Sequence, residues 1–249
     1  MLQIEPEPPT LREVNCEARR QRILETARRL ITRGGMRALT MRRLAAGARL
    51  SVTTLYNLIG GREEIIKALI GDSIDRMNRV LEREAPLEDP LQRCRALITV
   101  GTDHVVENKE YFQPLIMALY EAASREDVPR RPISNRATSM YSLAIQEAIS
   151  QGLLTDVLDP DVLGSQIFHG WETAYMHWGR GIIDEASFRA RALYGLYVAL
   201  LGAAAPHVRP QIEAELRALN LQLAVNPASR VLPEDTAGEH SSSSSIRVS

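Results

Sequence analysis

Between Cys16 and Arg62 the chain carries eleven arginines, no lysine and two carboxylates, a formal charge of +9, while the remainder of its 249 residues carries −10. Arginine presents a rigid fork of donors matched to phosphate, so this segment is suited to a polyanion; the alternative reading of the charge alone is a solvated basic helix face. Within it stand Val52, Thr53, Tyr56 and Asn57. An asparagine amide matches the donor and acceptor of an adenine edge, and Val52 or the Thr53 methyl suits a thymine methyl. Catalytic patterns are missing: there is no nucleophile elbow, phosphate loop or HExxH. His104, His169 and His177 read as hydrogen-bonded structural histidines, and Cys16 and Cys94 are single, so no metal site, disulfide or cofactor is expected. The chemistry on offer is recognition, and no enzyme activity is expected.

The elements that would position these residues are helical. Ile23, Leu24, Ala27, Leu30 and Ile31 form one apolar stripe, and Gly34-Gly35 supplies a helix end, which predicts a helix over 16–33. Two short helices follow with the same start signal. Thr40 and Ser51 are N-cap residues, and Leu39 with Leu44, then Leu50 with Leu55, make hydrophobic staples. A short helix, a turn and a second short helix is helix-turn-helix architecture. A fourth helix is expected over 62–83, started by Glu63 and Glu64 and running through Ile65, Ile66, Leu69, Ile70, Ile74, Met77 and Leu81. Helical patterns recur at 91–108, 111–123, 133–151, 160–179 and 185–204, and no stretch alternates as a strand.

From Gly35 to Ile66 the sequence GMRALTMRRLAAGARLSVTTLYNLIGGREEII resembles the signature of the TetR family of transcriptional regulators. A looser similarity to the family's last helices, usually its dimerisation pair, lies in FHGWETAYMHWGRGIIDEASFRARALYGLYVALLG. The resemblance implies a homodimer that binds a palindromic double-stranded DNA operator. It also implies that Thr40, Thr54, Tyr56 and Arg62 hold phosphates, with Arg42 a candidate for guanine or backbone. This sequence departs from the pattern at several places. Arg49 replaces the usual turn glycine; if the turn needs a positive φ, that costs on the order of 1 kcal/mol and places Arg49 to touch phosphate. Ile59 replaces an aromatic, Leu58 stands where a phosphate-contacting His is frequent, and Gly61 replaces a capping Ser.

The fold class expected is therefore all-α, an N-terminal three-helix helix-turn-helix domain joined to a larger helical ligand-binding and dimerisation domain. The expected divisions are a disordered lead-in over 1–15, the DNA-binding domain over 16–66, the sensor over 67–205, and a tail over 206–249 that is weakly helical and then disordered. Eleven of the twelve aromatics lie between Tyr111 and Tyr197. A small-molecule site among Phe112, Met117, Tyr120, Tyr141, Phe168 and Trp171 is expected, although the stripe Phe168, Trp171, Tyr175, Trp178 also suits core or dimer seam. Helix 185–204 has apolar residues on two sides, which predicts two neighbours, its own domain and a second subunit. No signal peptide and no apolar run of membrane-spanning length is present, so a cytoplasmic protein without a membrane partner is expected. A ligand-released repressor is the leading reading; an activator or architectural binder of the same fold, without a ligand, is the alternative.

Overall fold

A computed structural model describes residues 10–84, 88–123 and 131–225. Among these residues the chain is all-α, with a single isolated bridge, Leu154 to Ala204, in place of any strand. The first helix, α1, spans Leu11–Ala38. It starts five residues before the predicted position because Thr10 and Glu13 form a capping box: the Glu13 amide donates to Thr10 Oγ1 (3.3 Å) and the Thr10 amide to Glu13 Oε2 (2.8 Å). The irregular lead-in expected over 1–15 is thus helical from Leu11, and residues 1–9 lie outside the described ones. The residues from Leu11 to Arg20 are exposed, and the buried stripe of Ile23, Leu24, Ala27 and Ile31 begins after them. The regular helix breaks where expected, with Gly34 at φ −152° and Gly35 at φ 60°, ψ −165°. The second of these is open to glycine and hardly to any other residue.

Helices α2 (Met41–Ala48), α3 (Val52–Leu58) and the start of α4 (Arg62–Glu84) close a small core against α1. Leu39, Leu44, Ala48, Leu55 and Ile65 are buried in it. The larger half comprises α5 (Pro90–Glu107), α6 (Lys109–Ala123), α7 (Arg131–Ser150), α8 (Pro160–Gly179), α9 (Glu185–Ala203) and α10 (Arg209–Val225). Asp89, Asp159 and Asp184 cap α5, α8 and α9, each accepting backbone N–H groups of its own first turn. The α7–α8 connection is pinned to the end of α9, the Thr155 amide donating to the Ala203 carbonyl (2.7 Å) and the Ala205 amide to Leu153 (3.0 Å).

The weak helix of the tail is a packed element. Ile212, Leu216 and Leu219 of α10 are buried, α10 lies along α9, and Arg95 of α5 pairs with Glu215 at 3.6 Å. Residues 226–249, expected to be disordered, lie outside the described residues. The packing of α10 also changes the account of α9. Part of the apolar surface assigned to a second subunit is covered within the chain, while Val198 stays 48% exposed.

Candidate nucleic-acid interface and sensor core

The exposed surface of α3 is positioned by two caps and one strained turn. Thr40 accepts the Arg43 amide (3.3 Å) and starts α2; Ser51 accepts the Thr54 amide (3.0 Å) and starts α3. Between them Arg49 stands at φ 57°, ψ 48°, the one positive-φ residue other than glycine among the described residues. Its N–H still serves the α2 end, facing the carbonyls of Ala45 and Ala46. The left-handed conformation that the turn requires is therefore adopted by an arginine, at the cost that makes glycine the usual choice.

Burying Leu55 and half-burying Leu58 sets the roll of α3, and Val52, Thr53, Tyr56 and Asn57 are all exposed. Val52 is 40% and Tyr56 51% exposed, large apolar surface that the chain itself leaves uncovered. Thr40, Arg42, Arg49 and Arg62 are exposed as well, whereas Thr54 is half-buried with its hydroxyl against Ser51 Oγ (2.7 Å). Arg62 has an internal task that its sequence position did not reveal: Nη2 donates to the Met36 carbonyl (2.9 Å), tying the start of α4 to the turn after Gly35. The missing Ser cap of α4 is offset by Glu64, whose carboxylate accepts the Gly61 amide at 3.0 Å.

In the larger half the six expected ligand residues are mostly committed to packing. Phe112 and Tyr141 are buried; Met117, Phe168 and Trp171 are half-buried; the Tyr120 side chain lies outside the described residues. Trp171 stacks on Phe168 (6.1 Å between centroids) and packs on Tyr175 and Phe188, and its Nε1 donates to Thr102 on α5 (2.9 Å). Tyr175 donates to the Phe112 carbonyl (3.1 Å), which brings Trp171 and Phe112 into one connected aromatic core. Tyr141 stands apart beside Cys94, where burial drives its phenol well above the usual range. A solvent-open cleft of about 490 Å³ borders the aromatic core at Trp178, which stacks on Tyr175 and Phe188; it is lined also by Gln113, Gly181, Ile183, Asp184 and Glu185 and contains none of the six. Among the described residues no cluster of metal-ligating side chains occurs, and no helix is long and apolar enough to cross a membrane.

A basic helix-turn-helix with an outward-facing recognition helix, carried by a separate helical half, is the arrangement of a DNA-binding regulator. Residues 23–69 match the family described as bacterial regulatory proteins, tetR family, so this segment is a helix-turn-helix of the tetR kind. Solved structures share its fold. RolR in complex with resorcinol has 18% identity and a TM-score of 0.61, over 89% of this chain and 98% of that one. A TetR-family regulator from Pectobacterium atrosepticum has 22% identity and a TM-score of 0.60, over 79% and 98%. FadR of Thermus thermophilus in complex with lauroyl-CoA has 18% identity and a TM-score of 0.58, over 75% and 97%. No curated protein sequence matches the chain.

Proposed function

We propose that this protein is a homodimeric repressor that binds a palindromic operator and is released from it by a small molecule held in the α5–α9 half, with the division between the two functions near residue 66. The observation that carries the reading is the α3 surface: Val52, Thr53, Tyr56 and Asn57 face solvent together although two of them are largely apolar, in the most basic part of the chain. Asn57 and Val52 or Thr53 read bases, Arg42 meets guanine or backbone, and Thr40, Arg49, Thr54, Tyr56 and Arg62 hold phosphates and fix register. The dimer forms through the outer faces of α8 and α9. Val162 is 61% and Val198 48% exposed there, and among the described residues nothing beyond the neighbouring residues and backbone of their own helices lies within 4 Å of where a Cβ would stand on Gly170 and Gly195. Glycine inside a helix costs roughly 0.5–1 kcal/mol, which close approach of a second helix would offset.

Support for a small-molecule response comes from RolR and FadR, whose structures hold resorcinol and lauroyl-CoA. The test is selection of bound duplexes from a random pool by the full-length protein, followed by titration of resorcinol and lauroyl-CoA into the DNA complex. An inverted-repeat duplex displaced by one of these compounds bears the reading out. Selection of no sequence overturns operator recognition. A selected duplex that neither these compounds nor a wider aromatic and acyl panel displaces favours the ligand-free activator or architectural binder.

A further inference from the structure

The first turns of α1 take no part in the core. Residues 11–20 are exposed, and the buried stripe starts only at Ile23. The Thr10–Glu13 box starts this stretch and the packed part of α1 continues it, so it is helical without burying apolar surface of its own. Arg12, Asn15, Arg19 and Arg22 follow at spacings of three, four and three, which places them along one face, and all four are exposed. The two carboxylates of the stretch lie off that face and are engaged elsewhere. Glu13 accepts the Thr10 amide and hydroxyl, both at 2.8 Å, and Glu17 accepts Gln21 Nε2 at 2.9 Å. Arg12, Arg19 and Arg22 form no ion pair with another described residue. Three free guanidiniums in a row, with no acid among them, suit a line of phosphates.

The stripe lies on the side of α1 that meets α2. Thr26 continues its spacing, four residues after Arg22, and is buried against α2: its Cγ2 stands 2.6 Å from where a Cβ on Gly47 would lie. Helix α2 starts beside the end of α1 and finishes beside Thr26, so the two run antiparallel and the α2–α3 turn emerges at that level. Leu11 lies fifteen residues before Thr26, about 22 Å at a rise of 1.5 Å per residue. α1 therefore runs on past the turn that carries Arg49 and the Ser51 cap of α3, with its arginines on the side of that turn. From Arg12 to Arg22 is about 15 Å, and duplex DNA presents a phosphate charge about every 1.7 Å of its axis, so each arginine has phosphates within its span.

We propose that the exposed start of α1 is a rigid basic arm that lies along the backbone of duplex DNA beside the helix-turn-helix, with Arg12, Arg19 and Arg22 on phosphates. The arm precedes residues 23–69, the segment of the tetR kind. The proposal rests on the DNA-binding reading above and adds to it a surface that holds DNA without reading sequence. Its test is the affinity of the full-length protein between about 0.05 and 0.2 M salt, on the selected duplex and on an unselected duplex of equal length. The combined variant Arg12→Gln, Arg19→Gln, Arg22→Gln keeps the helical circular dichroism, since glutamine and arginine have similar helix propensity. It loses three contacts per protomer, which lowers the slope of log affinity against log salt by about 5 for a dimer, and it selects the same sequence as the wild type. Arg19→Gln alone lowers the slope by about 1.8, and Arg20→Gln, one residue off the stripe, leaves it unchanged. An unchanged slope in the combined variant overturns the arm and leaves operator recognition standing, as does an equal fall in the two single variants. A shifted sequence preference overturns the backbone role. If the wild type binds duplex but selects no sequence, operator recognition has failed and the slope on the unselected duplex still decides the arm. A wild type that binds no duplex overturns both.

Discussion

Replacing Arg49 by glycine separates two roles that this side chain combines. A left-handed conformation costs an L-residue roughly 1–2 kcal/mol, and Arg49 adopts it at φ 57°, ψ 48°. Glycine relieves that cost but loses about 0.5–1 kcal/mol through the greater freedom of the unfolded chain, so the net gain is about 0.5–1 kcal/mol. For a chain of this size the melting temperature rises by about 1–4 °C. On DNA the sign reverses. Arg49 is exposed and lies two residues before the Ser51 cap of α3, so each protomer loses one phosphate contact. Each contact contributes about 0.9 to the slope of log affinity against log salt, and a dimer loses about 1.8. Calorimetry together with duplex titrations between about 0.05 and 0.2 M salt reads both effects. Arg49→Ala is the control, since it keeps the left-handed strain and loses the contact, flattening the salt slope without raising the melting temperature. A glycine variant that melts lower than the wild type would refute the strain argument, and an unchanged slope would refute the phosphate contact.

Asn57→Ala costs about 1–3 kcal/mol of affinity for the selected duplex and relaxes selection at one position per half-site, seen by repeating the selection with the variant. Val198→Glu places a charge on the exposed face of α9 and converts the dimer to monomer in light scattering while the helical circular dichroism is retained. Cys94 is fully buried and its thiol is pushed up to about 12 by burial, whereas Cys16 is exposed. A thiol reagent therefore titrates one cysteine in the native protein and two after denaturation. Burial, with Arg28 and Arg76 adding to it and Glu107 opposing, holds His104 below its ordinary imidazole value of 6.5. The folded state favours the neutral ring, so this contribution to stability is present above pH 6.5 and is lost as the pH falls below it. The loss of melting temperature between about pH 7 and pH 5 is smaller in His104→Gln.

The parts legible in the sequence are those governed by rules acting over a few residues. Thr40 with Leu39 and Leu44, and Ser51 with Leu50 and Leu55, carry their own start signals, and the structure places both caps accordingly. Arg49 was marked as a strained turn residue only by the family resemblance, which has glycine at that place, and the structure gives it the left-handed conformation. The start of α1 was equally local, a Thr10-x-x-Glu13 box, yet no apolar stripe accompanies it because those first turns bury nothing. Periodicity finds the face of a helix that packs and is silent about helices that stand clear of the core.

The remainder depends on which faces meet, and a repeat of 3.6 residues does not specify a partner. The aromatic stripe of α8 was visible, but its commitment to Thr102, 69 residues away, and to Phe188 on α9 exists only in the folded chain. The same holds for Arg28 and Asp72, which lie within two segments that each read as ordinary amphipathic helix. Arg28 counts among the eleven arginines that mark the polyanion-binding end, yet it points inward, to a carboxylate on α4 and a phenol on α6. Net charge measures the field that DNA meets, and cannot say which arginines face it. Arg28 is half-buried and held by Asp72, so of the eleven arginines it is one whose replacement by methionine leaves the salt slope of duplex binding unchanged.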